Sequence, residues 1–205
     1  MEKVNYQKIT DGIIAELDLR ASRPSLLLHA CCAPCSSYVL EYLAEHFDIG
    51  VFFFNPNIFP RAEYDKRLGE MYKLLRLSGA EDKIRLIEGE YDTGAYAHCV
   101  KGFENEPEGG ARCTQCFTLR LSETAKLAAA QGYEYFATTL TVSPHKNAAL
   151  INGIGSVLSE RYGVKYLLSD FKKRNGCKRT TELCEEYGIY RQSYCGCSFA
   201  LESTR

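Results

Sequence analysis

The residues with the clearest chemical potential are cysteines that occur in close pairs. Cys31 and Cys32 are adjacent, and Cys113 and Cys116 follow later in the chain as a Cys-x-x-Cys motif. Adjacent cysteines form a disulfide only through a strained ring, because bridged Cα atoms lie roughly 4.4–6.8 Å apart and trans neighbours about 3.8 Å. Two soft thiolates side by side suit zinc or iron better. The pairs therefore predict a thiolate-held metal site.

The choice between zinc and an iron-sulfur cluster is not made by spacing, because four thiolates satisfy either. Three further thiols favour redox chemistry, since a purely structural zinc leaves Cys35, Cys195 and Cys197 without a role. Cys195 and Cys197, separated only by Gly196, can form a strained and easily reduced disulfide. The alternative is a tight turn with two buried thiols. The remaining cysteines are isolated and are interpreted as small buried hydrophobes: Cys99, Cys177 and Cys184.

Polar residues beyond the thiols supply candidate ligand contacts. Asn55, Asn57 and Glu63 follow an apolar run and could contact a small ligand, although loop capping would use the same residues. His145 follows Ser143-Pro144 and could be a metal ligand or an acid, while lone histidines are more often structural. Both interpretations stay open at this stage.

A basic segment near the C-terminus is the candidate nucleic-acid contact. It contains Lys172, Lys173, Arg174, Lys178 and Arg179, and the aromatic and cationic residues 190–194 (YRQSY) follow. Phosphate contacts and base stacking use these residue types, although a solvated basic face would look the same. The net charge is only −1, so the whole molecule offers no field that attracts a polyanion.

The apolar pattern indicates strands that alternate with helices. We expect strands near 25–30, 49–54, 84–87, 135–140 and 164–168, and helices from about 36, 62–77, 116–131, after 144 to about 161, and 181–187. This alternation predicts an α/β fold with a doubly wound, mostly parallel sheet, whose ligand site lies at the carboxyl ends of the strands. The first strand leads directly into the first cysteine pair.

Length and composition predict one domain spanning 1–205. Within it we expect an N-terminal extension (1–24), an irregular loop (93–112) and a basic, cysteine-containing C-terminal segment (170–205). No apolar run of about 18 residues and no secretory signal pattern occur, which predicts a cytoplasmic protein without a membrane span. Ten cysteines in a reducing compartment then favour metal or redox chemistry.

The motifs together resemble the cobalamin-independent epoxyqueuosine reductases, the QueH family. Six blocks in the family's order carry the resemblance: 29–35 (HACCAPC), 55–58 (NPNI), 106–113 (EPEGGARC), 138–147 (TTLTVSPHKN), 170–173 (DFKK) and 190–197 (YRQSYCGC). The resemblance implies removal of the epoxide oxygen from epoxyqueuosine at the wobble position of a tRNA anticodon. It also implies a 4Fe-4S cluster with a further iron, in a fold related to the nucleotide-binding α-hydrolases.

The resemblance assigns roles to the candidate residues. Cys31, Cys32, Cys113 and Cys116 would hold the cluster, and a mononuclear iron sharing Cys31 and Cys32, and reaching Cys35, would act as Lewis acid. Cys195 and Cys197 would supply reducing equivalents or cover the site. The proton donor would be Tyr194, Arg191 or His145. The anticodon stem-loop would meet the basic segment, and an unidentified electron donor would be required.

Three other kinds of protein are compatible with the residues alone. A tRNA thiolation enzyme also combines a related fold with cysteine-held clusters, but it needs an ATP-activating loop that the sequence lacks. A non-catalytic zinc protein that binds RNA or a partner would use the same four thiols structurally. A thiol-disulfide oxidoreductase using Cys113 and Cys116 would need no metal.

Overall fold

A parallel sheet of five strands organises the computed structural model, which describes residues 4–202. The strands are β1 (Ser25–His29), β2 (Asp48–Phe53), β3 (Arg85–Glu88), β4 (Tyr135–Thr138) and β5 (Lys165–Tyr166). Their order is β3-β2-β1-β4-β5, and every neighbouring pair is parallel. The predicted α/β fold with a doubly wound parallel sheet is confirmed.

Within the described part of the chain, eight α-helices connect and cover the strands. They are α1 (Tyr6–Leu19), α2 (Ala33–Leu43), α3 (Arg61–Leu77), α4 (Thr93–Cys99), α5 (Ala111–Gln131), α6 (Ala148–Tyr162), α7 (Gly176–Glu186) and α8 (Ser198–Glu202). A short 3-10 helix, Thr139–Val142, follows β4 directly. Among residues 4–202, no helix combines the length and apolarity that crossing a membrane requires.

The central strand β1 is buried on both faces, which its unbroken Leu26-Leu27-Leu28 run reflects. Successive side chains of a strand point to opposite faces. Leu26 and Leu28 accordingly pack in one core with residues of α2, α3 and α7, while Leu27 packs in a second core with residues of α5 and α6. Complete burial of each leucine contributes about 1.5–3 kcal/mol to stability, so this run fixes the strand between the two helical layers.

The strand order reverses direction between β1 and β4. The chain moves from β1 outward through β2 to β3 on one side, and β4 then returns to the other side of β1. In open parallel sheets a ligand crevice forms at this switch point, beyond the carboxyl ends of the strands. Here the segments that follow β1 and β4 begin with Ala30-Cys31-Cys32 and Thr139, so thiols lie at the switch point.

The prediction of an irregular loop over 93–112 is wrong at both ends, where α4 occupies residues 93–99 and α5 occupies residues 111–112. Asp92 caps α4 by accepting hydrogen bonds from the amides of Gly94 (2.8 Å) and Ala95 (3.1 Å). At the other end α5 begins at Ala111 and not near Cys116. Only residues 100–110 lack regular helix or strand, and Arg112 stabilises them by donating to the carbonyls of Glu104 (2.7 Å) and Glu106.

Other boundaries also differ from the sequence prediction. Residues of the expected N-terminal extension form α1, whose Thr10 donates a 2.7 Å hydrogen bond to the carbonyl of Leu168. The expected strand at 164–168 shortens to β5, and α7 begins at Gly176 instead of near Thr181. Gly176 is required there, because a Cβ would lie 1.9 Å from the carbonyl oxygen of Phe171.

Candidate metal centre

Three thiols converge where β1 passes into α2. The Sγ atoms of Cys31, Cys32 and Cys35, here termed the thiol triad, all lie within 4.8 Å of one another. Cys32 is the N-cap of α2, and its sulfur accepts a hydrogen bond from the Cys35 amide at 3.4 Å. The hydroxyl of Thr139, after β4, lies 3.2 Å from the Cys31 sulfur and accepts from the Cys31 amide at 3.1 Å. The segment after β1 therefore supplies the three sulfurs of the triad, and the segment after β4 contacts one of them through Thr139.

The triad favours a single thiolate, on Cys31. Hydrogen bonds from the Cys32 and Cys35 thiols lower the pKa of Cys31 well below its ordinary value, against the opposing effect of burial. The same hydrogen bonds raise the pKa of Cys32 to about 12 and the pKa of Cys35 well above its ordinary value. Three mutually close sulfurs at a helix N-terminus form a donor set suited to a thiophilic metal.

Cys113 and Cys116 lie in the first two turns of α5 and outside the triad. Cys113 accepts a hydrogen bond from the Gly109 amide (3.2 Å), and burial raises the pKa of Cys116 to about 12. Among the described residues, only the triad forms a group of three or more ligand atoms within 4.8 Å. The structure thus joins Cys35 to Cys31 and Cys32, and it leaves the Cys-x-x-Cys pair outside this group.

Arg120 connects the two sets of thiols, and sequence reasoning missed it. Its guanidinium is almost fully buried, lies 4.0 Å from the Cys116 sulfur and donates to Asn55 Oδ1 at 2.5 Å. Burial lowers the pKa of Arg120, but the sulfurs of Cys116 and Cys31 outweigh burial and raise it. The sequence could have indicated this residue, because Arg120 follows Cys116 by one helical turn and both side chains therefore lie on one face of α5.

His29 lies beside this arginine and is a neutral structural residue. Its Nε2 lies 3.1 Å from the carbonyl oxygen of Phe54 and 3.3 Å from Arg120 Nε, and its Nδ1 lies 2.9 Å from the Thr138 hydroxyl. Burial and the Arg120 charge lower its pKa to about 3. The Phe54 carbonyl would accept from a protonated Nε2, whereas Arg120 Nε donates to an unprotonated Nε2, so the two contacts favour opposite tautomers of the neutral ring.

A cavity of about 600 Å³ opens onto the triad, and we call it the thiol cavity. Its walls include the three cysteines of the triad together with Arg67, Arg120, His145, Lys146, Tyr194 and Cys195. Burial lowers the pKa of Lys146, but the sulfurs of Cys195, Cys31 and Cys35 overcome this and raise it above its ordinary value. Two protonated side chains, Lys146 and Arg120, thus face the sulfurs.

The predicted proton donors and the C-terminal thiols occupy different positions. His145, Tyr194 and Cys195 line the thiol cavity, whereas Arg191 lines a smaller cavity beside Cys35. Cys197 is buried in a separate apolar cluster with Tyr96 and Cys116. All ten cysteines are free thiols in the structure.

The predicted small-ligand residues are already engaged within the protein or lie elsewhere. Asn55 is buried, with its amide group donating to the Ala30 carbonyl (2.9 Å) and its oxygen accepting from Arg120. Glu63 accepts from Arg67 at 2.7 Å and from the Tyr190 hydroxyl at 3.3 Å. Asn57 lines a second cavity next to the first.

The predicted RNA-binding cations are largely paired with carboxylates. Lys172 lies 2.6 Å from Asp170, Arg174 lies 2.7 Å from Asp11 and Arg179 lies 2.7 Å from Glu41. Lys178 approaches Glu182 at 3.7 Å. Lys173 has no ion pair within residues 4–202, and it shares a cavity of about 730 Å³ with Lys146 and Lys172. The basic segment is therefore more neutralised than its sequence suggests.

Taken together, these features define an α/β protein with a thiol triad, suited to holding a metal, at the switch point of its sheet. The comparisons with known proteins assign it further. The family model for epoxyqueuosine reductase QueH matches residues 26–203, and this chain belongs to that family. Among named relatives, the QueH of Streptococcus pyogenes serotype M1 is 45% identical over 97% of this chain and 79% of its own length. That of Thermotoga maritima is 38% identical over 88% and 92%, respectively.

A solved structure shares the fold. The U34-tRNA thiolase NcsA from Methanococcus maripaludis with its [4Fe-4S] cluster superposes with a TM-score of 0.53 over 95% of this chain and 70% of that chain. The sequence identity is 13%, so the likeness concerns the fold alone. Family membership favours neither of the other kinds of protein considered above, the zinc-binding module and the tRNA thiolation enzyme.

Proposed function

We propose that this protein reduces epoxyqueuosine in tRNA to queuosine. The observation that carries the proposal is the family match over 26–203, which contains the thiol triad and the residues that wall the thiol cavity. The reaction removes the epoxide oxygen as water and leaves an alkene, which consumes two electrons and two protons. Because the substrate is a tRNA nucleoside, the protein would act in the cytoplasm.

The donor set fits an iron-sulfur cofactor. Cys31 and Cys32 from the start of α2, with Cys113 and Cys116 from α5, would hold a 4Fe-4S cluster, and Cys35 would contribute to a further iron. Arg120 supports this grouping, since one guanidinium faces both Cys116 and Cys31. The chemistry that such a cofactor supplies is delivery of the two electrons, for which no side chain is an adequate donor.

The side chains of the thiol cavity would position the substrate and supply protons. Lys146 stays protonated beside the sulfurs of Cys31, Cys35 and Cys195, so it can donate to an oxygen that develops negative charge. Burial raises the pKa of Tyr194, which keeps its phenol protonated. Tyr194 and His145, both on the cavity wall, therefore remain candidate proton donors, and Arg191 ranks behind them because it lines the smaller cavity beside Cys35.

The electrons would come from a separate donor, with Cys195 and Cys197 as candidate relays. Cys195 lies on the wall of the thiol cavity, while Cys197 is buried behind it. The RNA would contact the basic residues of the C-terminal segment, of which Lys173 is the cation without an ion pair among the described residues.

The test is iron content and single-turnover reduction of tRNA that carries epoxyqueuosine, with dithionite as reductant under anaerobic conditions. We expect about four to five iron atoms per chain, a band near 400 nm that bleaches on reduction, and formation of queuosine. Cys32→Ala should lose iron and activity, whereas Cys184→Ala, a buried thiol on α7 away from the cavity, should retain both. One zinc per chain without colour, or sulfur transfer to the tRNA, would refute the proposal.

A further inference from the structure

Thr139, the first residue after β4, carries a hydroxyl that has no part in the proposed reaction. The residue is completely buried (0% exposed), and within the described part of the chain its hydroxyl contacts a single residue, Cys31. The hydroxyl oxygen accepts from the Cys31 amide at 3.1 Å and donates to the Cys31 sulfur at 3.2 Å. One side chain thus binds both the backbone and the sulfur of a candidate metal ligand.

The direction of the bond to sulfur follows from the bond to the amide. A threonine hydroxyl has one proton and two lone pairs. Because one lone pair of Thr139 accepts from the Cys31 amide, the hydroxyl proton remains available for the sulfur. The Cys31 sulfur is therefore an acceptor in this contact. A thiolate can accept in this way both before and after it binds a metal, since it has several lone pairs.

The register of the sheet holds this hydroxyl in place. Strands β1 and β4 are parallel neighbours, and His29 lies opposite Thr138. The Thr138 hydroxyl lies 2.9 Å from His29 Nδ1 and accepts from the Leu140 amide at 3.2 Å, which caps the 3-10 helix. Thr139 follows directly and reaches Cys31 beyond the end of β1. Its hydroxyl is thus oriented toward the sulfur by the strands before any metal binds.

The buried threonines of this segment differ in their partners. Thr138, Thr139 and Thr141 are all without exposed surface. Thr141 pairs with the Ser169 hydroxyl at 3.0 Å, and Thr138 contacts His29, so of these three only Thr139 contacts a sulfur. Because Thr139 is buried, it can influence a substrate in the thiol cavity only through Cys31, which lines that cavity.

We propose that Thr139 is a positioning residue of the metal centre, which orients Cys31 and stabilises its sulfur as a metal-bound thiolate. This inference rests on the proposed function, because it takes Cys31 to be a ligand of the cluster. Hydrogen bonds to ligand sulfurs contribute to the reduction potential of an iron-sulfur cluster. They favour the reduced form, which has more negative charge, so the Thr139 hydroxyl raises the potential. Groups behind the ligands also strengthen metal binding.

The test is a redox titration of the anaerobically reconstituted protein, together with the rate at which a chelator removes its iron. Thr139→Val retains the shape of the side chain and removes the hydroxyl. We expect the midpoint potential to fall by about 30 mV, a threefold change for a one-electron couple. Iron loss should be about tenfold faster. Thr139→Ser retains the hydroxyl and should resemble the wild type in both measurements.

Thr141→Val is the matched control, because it removes a buried hydroxyl from the same 3-10 helix that pairs with Ser169 instead of a sulfur. Both valine variants should lose thermal stability, since each leaves a buried polar group without its partner. Only Thr139→Val should change the potential and the iron loss. Thr139→Ala, which also lacks the hydroxyl, should shift the potential in the same direction and serves if the valine variant does not fold.

Three results would overturn the inference. They are a wild-type potential and iron loss in the Thr139 variants that lack the hydroxyl, equal shifts in Thr139→Val and Thr141→Val, and an equal shift in Thr139→Ser. If the centre holds zinc instead of a cluster, zinc loss to the chelator gives the same test. Faster loss from Thr139→Val than from Thr141→Val would support the role, and equal loss would reject it.

The outcome is separable from that of the proposed function. A potential or metal retention that depends on Thr139, in a protein that does not reduce epoxyqueuosine, would contradict the reductase proposal and leave this role standing. Reduction of epoxyqueuosine by a protein whose potential and iron loss are unaffected by Thr139→Val would reject the role of Thr139 alone.

Discussion

Arg120 is the residue that most clearly connects the site to its chemistry. It is 2% exposed, and no carboxylate forms an ion pair with it among residues 4–202. Its partners are the neutral Asn55 and His29 and the sulfur of Cys116. A buried cation without a counter-charge is costly, so the negative charge that balances Arg120 must come from thiolates and from whatever they hold.

Replacement of Arg120 by methionine should therefore weaken the cofactor site. We expect Arg120→Met to reduce the iron retained per chain after anaerobic reconstitution. We also expect it to lower the midpoint potential of the remaining cluster by about 60 mV, a tenfold change for a one-electron couple, because the positive charge that favours the reduced form is lost. Iron analysis and a redox titration followed by absorbance would measure both.

Arg120→Lys is the matched control, since it retains a positive charge at the same helix position. It should hold more iron than Arg120→Met and show a smaller shift in potential, although it cannot reproduce the planar contacts to Asn55 and Cys116. Equal iron content and equal potential in the wild type and the methionine variant would show that Arg120 acts only in packing.

At the scale of elements, α3 holds the C-terminal segment in place through one arginine. Arg67 is 2% exposed and donates to the carbonyls of Cys195 (3.1 Å) and Tyr194 (3.3 Å), while its Nε donates to Glu63 (2.7 Å). Gly196 adopts φ +123°, and a Cβ there would lie 3.0 Å from Arg67 Nη1. The placement of Cys195 on the cavity wall therefore depends on Arg67.

Loss of this arginine should release the segment. Arg67→Met should destabilise the protein by about 3 kcal/mol, because the half-buried Glu63 loses its charged partner and the carbonyls of Tyr194 and Cys195 lose their donor. Amide hydrogen exchange in residues 192–198 should accelerate. Glu63→Gln should have a smaller effect, since the two hydrogen bonds from Arg67 to the backbone remain. Exchange rates in 192–198 that equal those of the wild type would contradict this role.

At the scale of the whole molecule, RNA binding must depend on a local patch. The net charge is −1, and four of the five predicted RNA-binding cations lie within 4.0 Å of a carboxylate. An ion-paired cation releases fewer counterions from a phosphate backbone than a free one does. The effective footprint should then centre on Lys173, in the cavity that it shares with Lys146 and Lys172.

The salt dependence of RNA affinity distinguishes free from paired cations. Lys173→Gln should reduce the slope of log affinity against log salt by about 1, whereas Arg179→Gln should change the slope little because Arg179 is paired with Glu41. Measurements between roughly 50 and 200 mM salt would cover the useful range. Equal changes of slope in the two variants would show that the whole basic segment, and not Lys173 alone, contacts the RNA.

The sequence by itself determined the features that depend on local pattern. The apolar run 26–28, the alternation of strands and helices and the position of Cys31 and Cys32 after β1 can each be recognised in a short stretch of sequence, and the fold was predicted from them. The family was predicted from the six motifs between residues 29 and 197. The sequence analysis did not predict α4, because the region after its N-cap, Asp92, has no apolar period. The helix is stabilised by packing of Tyr96 against residues that are distant in the chain.

Only the tertiary structure decided which charges are buried and which partners they have. Three contacts join residues that are far apart in the chain. They are Arg120 with Asn55, Arg67 with the backbone of Cys195, and Arg179 with Glu41. A sequence shows that a side chain carries a charge, but its energy depends on burial and on neighbours that the fold brings together. For the same reason the roles of Arg120 and Lys146 became visible only once the walls of the thiol cavity were known.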